Sequence, residues 1–290
     1  MQAIQTIKKI SAEKLPPILV LSGDDIGQFE WMKEQLLKKV GYDSSDLNYS
    51  YFDMKETAYS EVELDLVSLP FFADEKIVIL DHFVDVTTAK KRYLTDDELQ
   101  SFEGYLSAPL ETTRLIVFAE GKLDSKRRIV KLLKRDAQVL EVTELKEQEL
   151  RAHFTEEIKS LGLAIDSPAF EQLLIKSGFD FSEIQKNLEF LKTYKGASSI
   201  TISDIEEAIP KTLQDNLFDL IQMILKKQID PARSLVKDLR LQGEDEIKLL
   251  AILLSQFRVY TQVKLLKQEG RTESQIVSDL SELTGRKVNP

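Results

Sequence analysis

The sequence predicts an α/β domain followed by all-α segments, and three observations carry that reading. Short apolar runs alternate with segments of helical periodicity up to about residue 142, those runs are apolar on both faces, and strand signals cease after Thr143. A run apolar on both faces suits a central strand of a parallel sheet, because helices cover such a sheet above and below. A chain of 290 residues exceeds one ordinary core, so two or three domains are expected. The composition shift places them at 1–143, 144–211 and 212–290.

The first strand is Ile18-Leu19-Val20-Leu21, ending at Ser22-Gly23, and helical periodicity follows from Gln28 to Val40. Tyr49-Ser50-Tyr51-Phe52 reads as a second strand. Ser60 and Glu63 have capping-box spacing, so a short helix starts there and Pro70 stops it. Lys76 to Leu80, Leu115 to Phe118 and Val139 to Val142 complete the strands. The helices then run from Glu147 to Leu161, closed by Gly162, and from the Asp166 cap with Pro168 to Ser177. Phe181 to Tyr194 follows, then a short helix capped by Ser203 that ends at Pro210. The last three span Asn216 to Lys226, Pro231 to Leu241 and Glu244 to Gln268.

Composition removes several function classes. The chain has no cysteine, which excludes disulfides, thiolate catalysis and Cys-type zinc sites. Its two histidines, His82 and His153, are far apart in sequence, and no Gly-x-Ser-x-Gly elbow is present, so both read as structural or exposed. A formal charge of −10 repels phosphate and disfavours strong autonomous nucleic-acid binding. Residues 1–15 do not read as a secretory signal, no window reads as a membrane span, and a cytoplasmic protein is expected.

Ser68-Leu69-Pro70-Phe71-Phe72 is the most informative stretch. A proline stop followed at once by two phenylalanines aims large rings away from the helix axis. Such rings either seal the local core or fill a pocket on another protein. The run Lys122 to Arg135 holds seven cations, among them Lys122, Lys126, Arg127 and Arg128. It reads as the solvated face of a helix with Ile129, Leu132 and Leu133 inward, or as a contact to DNA or a neighbouring subunit. Trp31 reads as core.

A three-layer domain followed by a helical bundle resembles the AAA+ ATPase module, with its lid and its collar. That module needs a Gly-Lys-Ser/Thr phosphate loop after its first strand. Here the loop reads Ser22-Gly23-Asp24-Asp25-Ile26-Gly27-Gln28-Phe29, with carboxylates where phosphate would sit. After Ile77 to Leu80 stands Asp81-His82, without the partner glutamate that positions magnesium and water. In the lid, Gly178-Phe179-Asp180-Phe181-Ser182 offers serine where clamp-loading ATPases carry a phosphate-contacting arginine. The scaffold is expected to persist without nucleotide chemistry, cofactor or metal.

Taken in order, these blocks resemble the delta-subunit family of the bacterial DNA polymerase III clamp loader. The resemblance spans Leu19 to Asp25, Ser68 to Leu80, Gly121 to Arg128, Asn187 to Lys192, Asn216 to Leu220 and Leu250 to Gly270. It implies a subunit that binds and opens the sliding clamp without hydrolysing ATP, as a component of the polymerase holoenzyme. The implied partners are the clamp, loader subunits of the tau/gamma and delta-prime types, and primed DNA through the assembly, with no membrane. The clamp-binding element carried over is Ser68, Leu69, Pro70, Phe71 and Phe72. It is similar to the pattern Gln-Leu-Ser-Leu-Pro-Leu-Phe, with Leu66 where glutamine is usual and Phe71 for the second-last leucine. The family's last domain continues beyond a stretch like 285–290, so the collar is expected to be incomplete. The alternatives are a degenerate NTPase, separable by calorimetric titration with nucleotide, and the other ATPase-silent loader subunit, which the lack of cysteine disfavours.

Overall fold

Five parallel strands form one sheet in the order β2-β3-β4-β1-β5: β1 (Ile18–Gly23), β2 (Tyr49–Asp53), β3 (Lys76–Asp81), β4 (Thr113–Glu120) and β5 (Gln138–Val142). The computed structural model describes residues 2–284 apart from Phe72, Ala197, Lys211 and Thr212. The stretch 285–290, on which the expectation of an incomplete collar rests, lies outside the described residues. In the register, Val20 lies opposite Val117 of β4 and Val139 of β5, and Val78 opposite Leu115. The central strands β1 and β3 are buried along their whole length, which is why their sequences are continuously apolar.

Helices cover both faces of the sheet. On one face Val20, Val78, Leu80 and Val117 pack with Val62 and Leu66 of α3 (Tyr59–Val67), Phe102 of α4 (Asp96–Ser107) and Val130 of α5 (Arg128–Asp136). The opposite face, with Leu19, Ile79 and Phe118, meets α2 (Ile26–Val40), which buries Phe29, Met32 and Leu36. A short amphipathic α1 (Gln2–Lys9), burying Ile4 and Ile7, packs against α2 and β5. Four more helices complete this unit: α6 (Glu147–Ser160), α7 (Ser167–Lys176), α8 (Phe181–Lys195) and α9 (Ile202–Ala208).

The chain divides into two compact units, Met1–Ala208 and Ile209–Pro290. The second contains α10 (Leu213–Leu225), α11 (Ile229–Leu241), α12 (Glu246–Gln268) and α13 (Glu273–Thr284). Its core is thin: Leu217, Leu239 and Leu249, with Leu213, Leu235, Ile252 and Leu253 packed around them. Much apolar surface stays outside that core, including Ile247, Leu250 and Leu254 on α12.

Three sequence expectations are corrected. Ser60 does not cap α3; the cap is Ala58, two residues earlier, and the helix starts at Tyr59, which buries its ring against Phe102. Glu63, the expected capping partner, instead accepts from the Ser101 hydroxyl. Ser203 lies inside α9, and the turn before it is closed by Asp204, which accepts from the Thr201 N–H at 2.8 Å and its hydroxyl at 2.9 Å. Finally, α12 is long and apolar enough by composition to cross a membrane, with a mean hydropathy of 1.2 in its best window, where no such window was expected. Lys248, Gln256, Arg258 and Lys264 interrupt it, and Leu249, Ile252 and Leu253 are used in the helical core.

Candidate functional site

The site is built at the amino edge of the sheet, where α3 ends. Tyr59, Val62 and Leu66 hold the inner face of that helix, so Leu66, which stands where the clamp-binding pattern has glutamine, is buried and apolar. The helix stops at Val67, and Ser68 is extended (φ −77°, ψ 151°) ahead of Leu69-Pro70. A buried lysine fixes this exit. Lys76, at the start of β3, donates to the Ser68 hydroxyl at 2.7 Å and to the Asp65 carbonyl, and lies 3.3 Å from the Asp65 carboxylate. Ser68 in turn donates to the Asp65 carbonyl at 2.9 Å. The backbone that leaves the helix is therefore tethered to the first residue of a central strand.

Beyond the tether the side chains point outward. Leu69 is 66% exposed and Phe71 87%, while Pro70 is half-buried and Phe72 lies outside the described residues. Leu64 and Val67, on the outer face of α3, extend the same apolar surface at 71% and 56% exposure. Large apolar side chains grouped on a polar surface mark contact sites, and burying each on a partner is worth roughly 1.5–3 kcal/mol. Nearby, Glu75 is paired with Arg114, whose hydrogen bond holds the Glu75 carboxyl below its ordinary range.

At the carboxyl edge, the start of α2 meets the start of α8 around a cleft of about 480 Å³. Asp25 caps α2 by accepting from the Gln28 N–H at 3.0 Å, and the Gln28 amide bridges Asp25 to the Thr143 carbonyl. Asp24, Glu144 and Asp180 add carboxylates to the rim. Gly27 packs so tightly that a Cβ there would fall 2.0 Å from the Ser182 hydroxyl. Behind the cleft, the His153 ring is buried against Trp31, Phe154 and Phe181, with centroids 4.8–5.1 Å apart. Burial pushes its pKa down to about 4.

The Asp81-His82 pair stands at the same edge, in a closed network. Asp81 is buried and accepts from Lys33 and from the Tyr51 hydroxyl, each at 2.5 Å, and from the His82 N–H at 2.9 Å. Burial and the Asp81 carboxylate push the Tyr51 phenol upward. His82 adopts a left-handed φ of 55° and places Nδ1 3.0 Å from Asp53. Among the described residues, no group of three or more His, Asp or Glu side chains is arranged to hold a metal ion.

The basic run begins in the loop after β4 and continues along α5. Lys122, Lys126 and Arg128 are exposed, whereas Arg127 is half-buried and donates to the Asp85 carbonyl. Arg128 pairs with Glu103 at 3.3 Å. The face of α5 turned inward carries Ile129, Val130 and Leu133, with Leu132 half-buried. The structure thus keeps the start of the run, Lys122 to Arg128, at the edge of the sheet opposite the plug, while α5 carries its far end back across the sheet.

This five-stranded parallel sheet covered by helices and followed by all-α segments, with the start of α2 packed on the start of α8, defines an α/β protein with a helical C-terminal region. The model for the DNA polymerase III delta subunit matches residues 19–143, and that for the C-terminal domain of the same subunit matches residues 214–286. The chain belongs to the DNA polymerase III delta-subunit family. It is similar to the DNA polymerase III subunit delta of Bacillus subtilis (strain 168), 26% identical over 276 residues, covering 94% of this chain and 80% of that one. The solved Bacillus subtilis DNA clamp loader delta protein (YqeN) superposes with a TM-score of 0.62 at 26% identity, over 97% of this chain and 83% of that one. A Thermotoga maritima RuvB mutant superposes with a TM-score of 0.46 at 10% identity, over 79% of this chain and 77% of that one.

Proposed function

We propose that this chain is the clamp-opening subunit of a replicative clamp loader, acting as a binding lever rather than as an ATPase. The exposure of Leu69 and Phe71 on a tethered helix exit carries the reading. Leu69, Pro70, Phe71 and Phe72 enter an apolar groove on the sliding clamp, and Ser68 positions them through Lys76. Leu64 and Val67 widen the contact. A ligand shifts a conformational equilibrium only by its difference in affinity for the two states, so the plug fits the opened or relaxed clamp better than the closed one. A rigid exit favours this, because little ordering free energy is lost on binding.

The carboxylates and the Gly27–Ser182 packing at the cleft support a nucleotide-free role, with ATP acting on partner subunits. Those partners are loader subunits of the tau/gamma and delta-prime types, with primed DNA held by the assembly. In this reading 1–143 carries the plug, 144–211 is the lid and 212–290 the collar. The place of action is the bacterial cytoplasm, at the replisome.

The test is capture of the sliding clamp by the full chain. Leu69→Ala with Phe71→Ala removes two anchors, each worth about 2 kcal/mol at a well-packed interface, so binding falls by two to three orders of magnitude. Loader assembly and the melting temperature stay unchanged. Clamp capture at wild-type strength by this double variant refutes the assigned site.

A further inference from the structure

We infer that the second compact unit carries a docking groove for an acidic amphipathic helix of a protein that is not a loader subunit. The groove, about 600 Å³ in volume, lies between α10 and α11 and reaches Leu253 of α12. Leu220 and Ile224 of α10, with Ile229, Ala232 and Val236 of α11, make its apolar wall. Leu220 is buried, Ala232 and Val236 are half-buried, and Ile224 and Ile229 are exposed. A tight reversal joins the two helices: the Lys227 N–H donates to the Ile224 carbonyl at 3.0 Å and the Gln228 N–H to the Met223 carbonyl at 2.8 Å. The volume falls in the range of ordinary binding sites, roughly 300–1,000 Å³.

Every charged side chain that lines this groove is cationic: Lys227, Arg233, Lys237 and Arg240. Arg240 is committed to Glu246 of α12. Lys227, Arg233 and Lys237 are exposed and have no carboxylate partner among the described residues. On α11 the two kinds of side chain run in parallel. Ile229, Ala232 and Val236 stand at i, i+3 and i+7, and Arg233, Lys237 and Arg240 at i, i+4 and i+7 beside them. Like charges one turn apart weaken a helix by a few tenths of a kcal/mol, about 0.2–0.5 per pair, unless an anion lies between them.

An apolar stripe beside a cationic one is matched by a partner with the same two stripes and the charge reversed. An amphipathic helix supplies both: its apolar residues at i, i+3, i+4 and i+7 enter the groove, and Glu or Asp beside them meets the cationic row. That row extends about 10 Å along α11, at 1.5 Å per residue, which is longer than one carboxylate or phosphate can satisfy. Unit 2 also has a second apolar surface, Ile247, Leu250 and Leu254 on α12, outside the groove. In the collar reading that stripe packs against the other loader subunits, and the groove with its cationic rim is left for a different protein. Charge complementarity of this kind sets partner choice and association rate.

Fluorescence anisotropy of two labelled helical peptides with the full chain tests this. One peptide has a leucine stripe flanked by glutamates, the other the same stripe flanked by lysines. The wild-type chain binds the glutamate peptide with a Kd of about 1–50 μM and the lysine peptide about tenfold more weakly or worse. Arg233→Glu with Lys237→Glu reverses that preference, and Ile229→Asp weakens both peptides about tenfold. Circular dichroism verifies that these exposed substitutions leave the fold intact. Equal affinity for the two peptides, or a preference that survives charge reversal, overturns the inference. So does absence of glutamate-peptide binding up to about 100 μM. Loss of co-purification with other loader subunits in the charge-reversed variant also overturns it, and assigns the groove to the collar. Self-association of the wild-type chain that the same variant abolishes overturns it too, and assigns the groove to a second copy. The Leu69→Ala/Phe71→Ala variant binds the glutamate peptide as wild type does, and the groove variants keep clamp capture, so failure of the clamp reading and failure of this one are distinguishable.

Discussion

The two edges of the sheet have opposite characters. In an open α/β sheet, ligand sites ordinarily form at the carboxyl ends of the strands. Here the carboxyl end of β1 is closed by the chain's own groups: Asp25 and Gln28 satisfy the start of α2, and Gly27 rests on Ser182. The carboxyl end of β3 is closed likewise, with Asp81 held by Lys33, Tyr51 and His82. At the amino edge, the buried Lys76 braces the helix exit, and Leu69 and Phe71 beyond it are exposed. The contrast teaches that polar residues can sit where chemistry is expected and serve packing, while large apolar side chains are exposed at the opposite edge.

The largest effect that would break this comparison comes from Asp81. Asp81→Ala leaves the Lys33 ammonium, with its side chain only 13% exposed, without its carboxylate, and the expected loss is about 3–5 kcal/mol by urea unfolding. A neutral result would mean that Asp81 is held ready for a ligand rather than serving the fold.

His153 sharpens the comparison through pH. Burial holds its folded pKa at about 4 against an ordinary value of 6.5, so between those values the unfolded chain binds more protons. Stability therefore falls as pH drops from 6.5 toward 4, by about 3 kcal/mol in all. The difference in unfolding free energy between wild type and His153→Phe, followed from pH 7 to pH 4, reports this contribution alone. Parallel pH profiles for the two proteins would show that the ring is solvated in solution.

Lys76→Met gives the smallest change in stability, about 2 kcal/mol, through loss of charge-assisted hydrogen bonds to Ser68 and Asp65. Clamp capture should nevertheless weaken, because Leu69 and Phe71 remain but their exit is no longer fixed. A clamp affinity equal to wild type would show that the tether serves folding alone.

Much of the sheet was legible because the physics that builds it is local to each strand. Parallel strands buried on both faces must be apolar throughout, and Ile18 to Leu21, Ile77 to Leu80 and Leu115 to Phe118 announce themselves. The helix α4 escaped the sequence reading although its signal was present, in Thr95 and Glu98 at capping-box spacing followed by Phe102 and Leu106. The helix α1 offered less: only Ile4 and Ile7 are buried, and its docking on α2 and β5 gives it a partner. Ser60 misled because a capping spacing is common, and burial of the Tyr59 ring outweighed it.

By itself, the sequence determined the class of fold, the absence of a Gly-Lys-Ser/Thr phosphate loop, and a helix stop followed by apolar residues at Leu69 and Phe71. These follow from periodicity, residue chemistry and backbone restriction, which act over a few neighbouring positions. Only the tertiary structure decided which way those side chains face, that Lys76 braces Ser68, and that Thr88 after β3 bonds to Lys122 after β4. Each of these joins segments through hydrogen bonds and burial across different strands, and strand order is a property of the whole sheet.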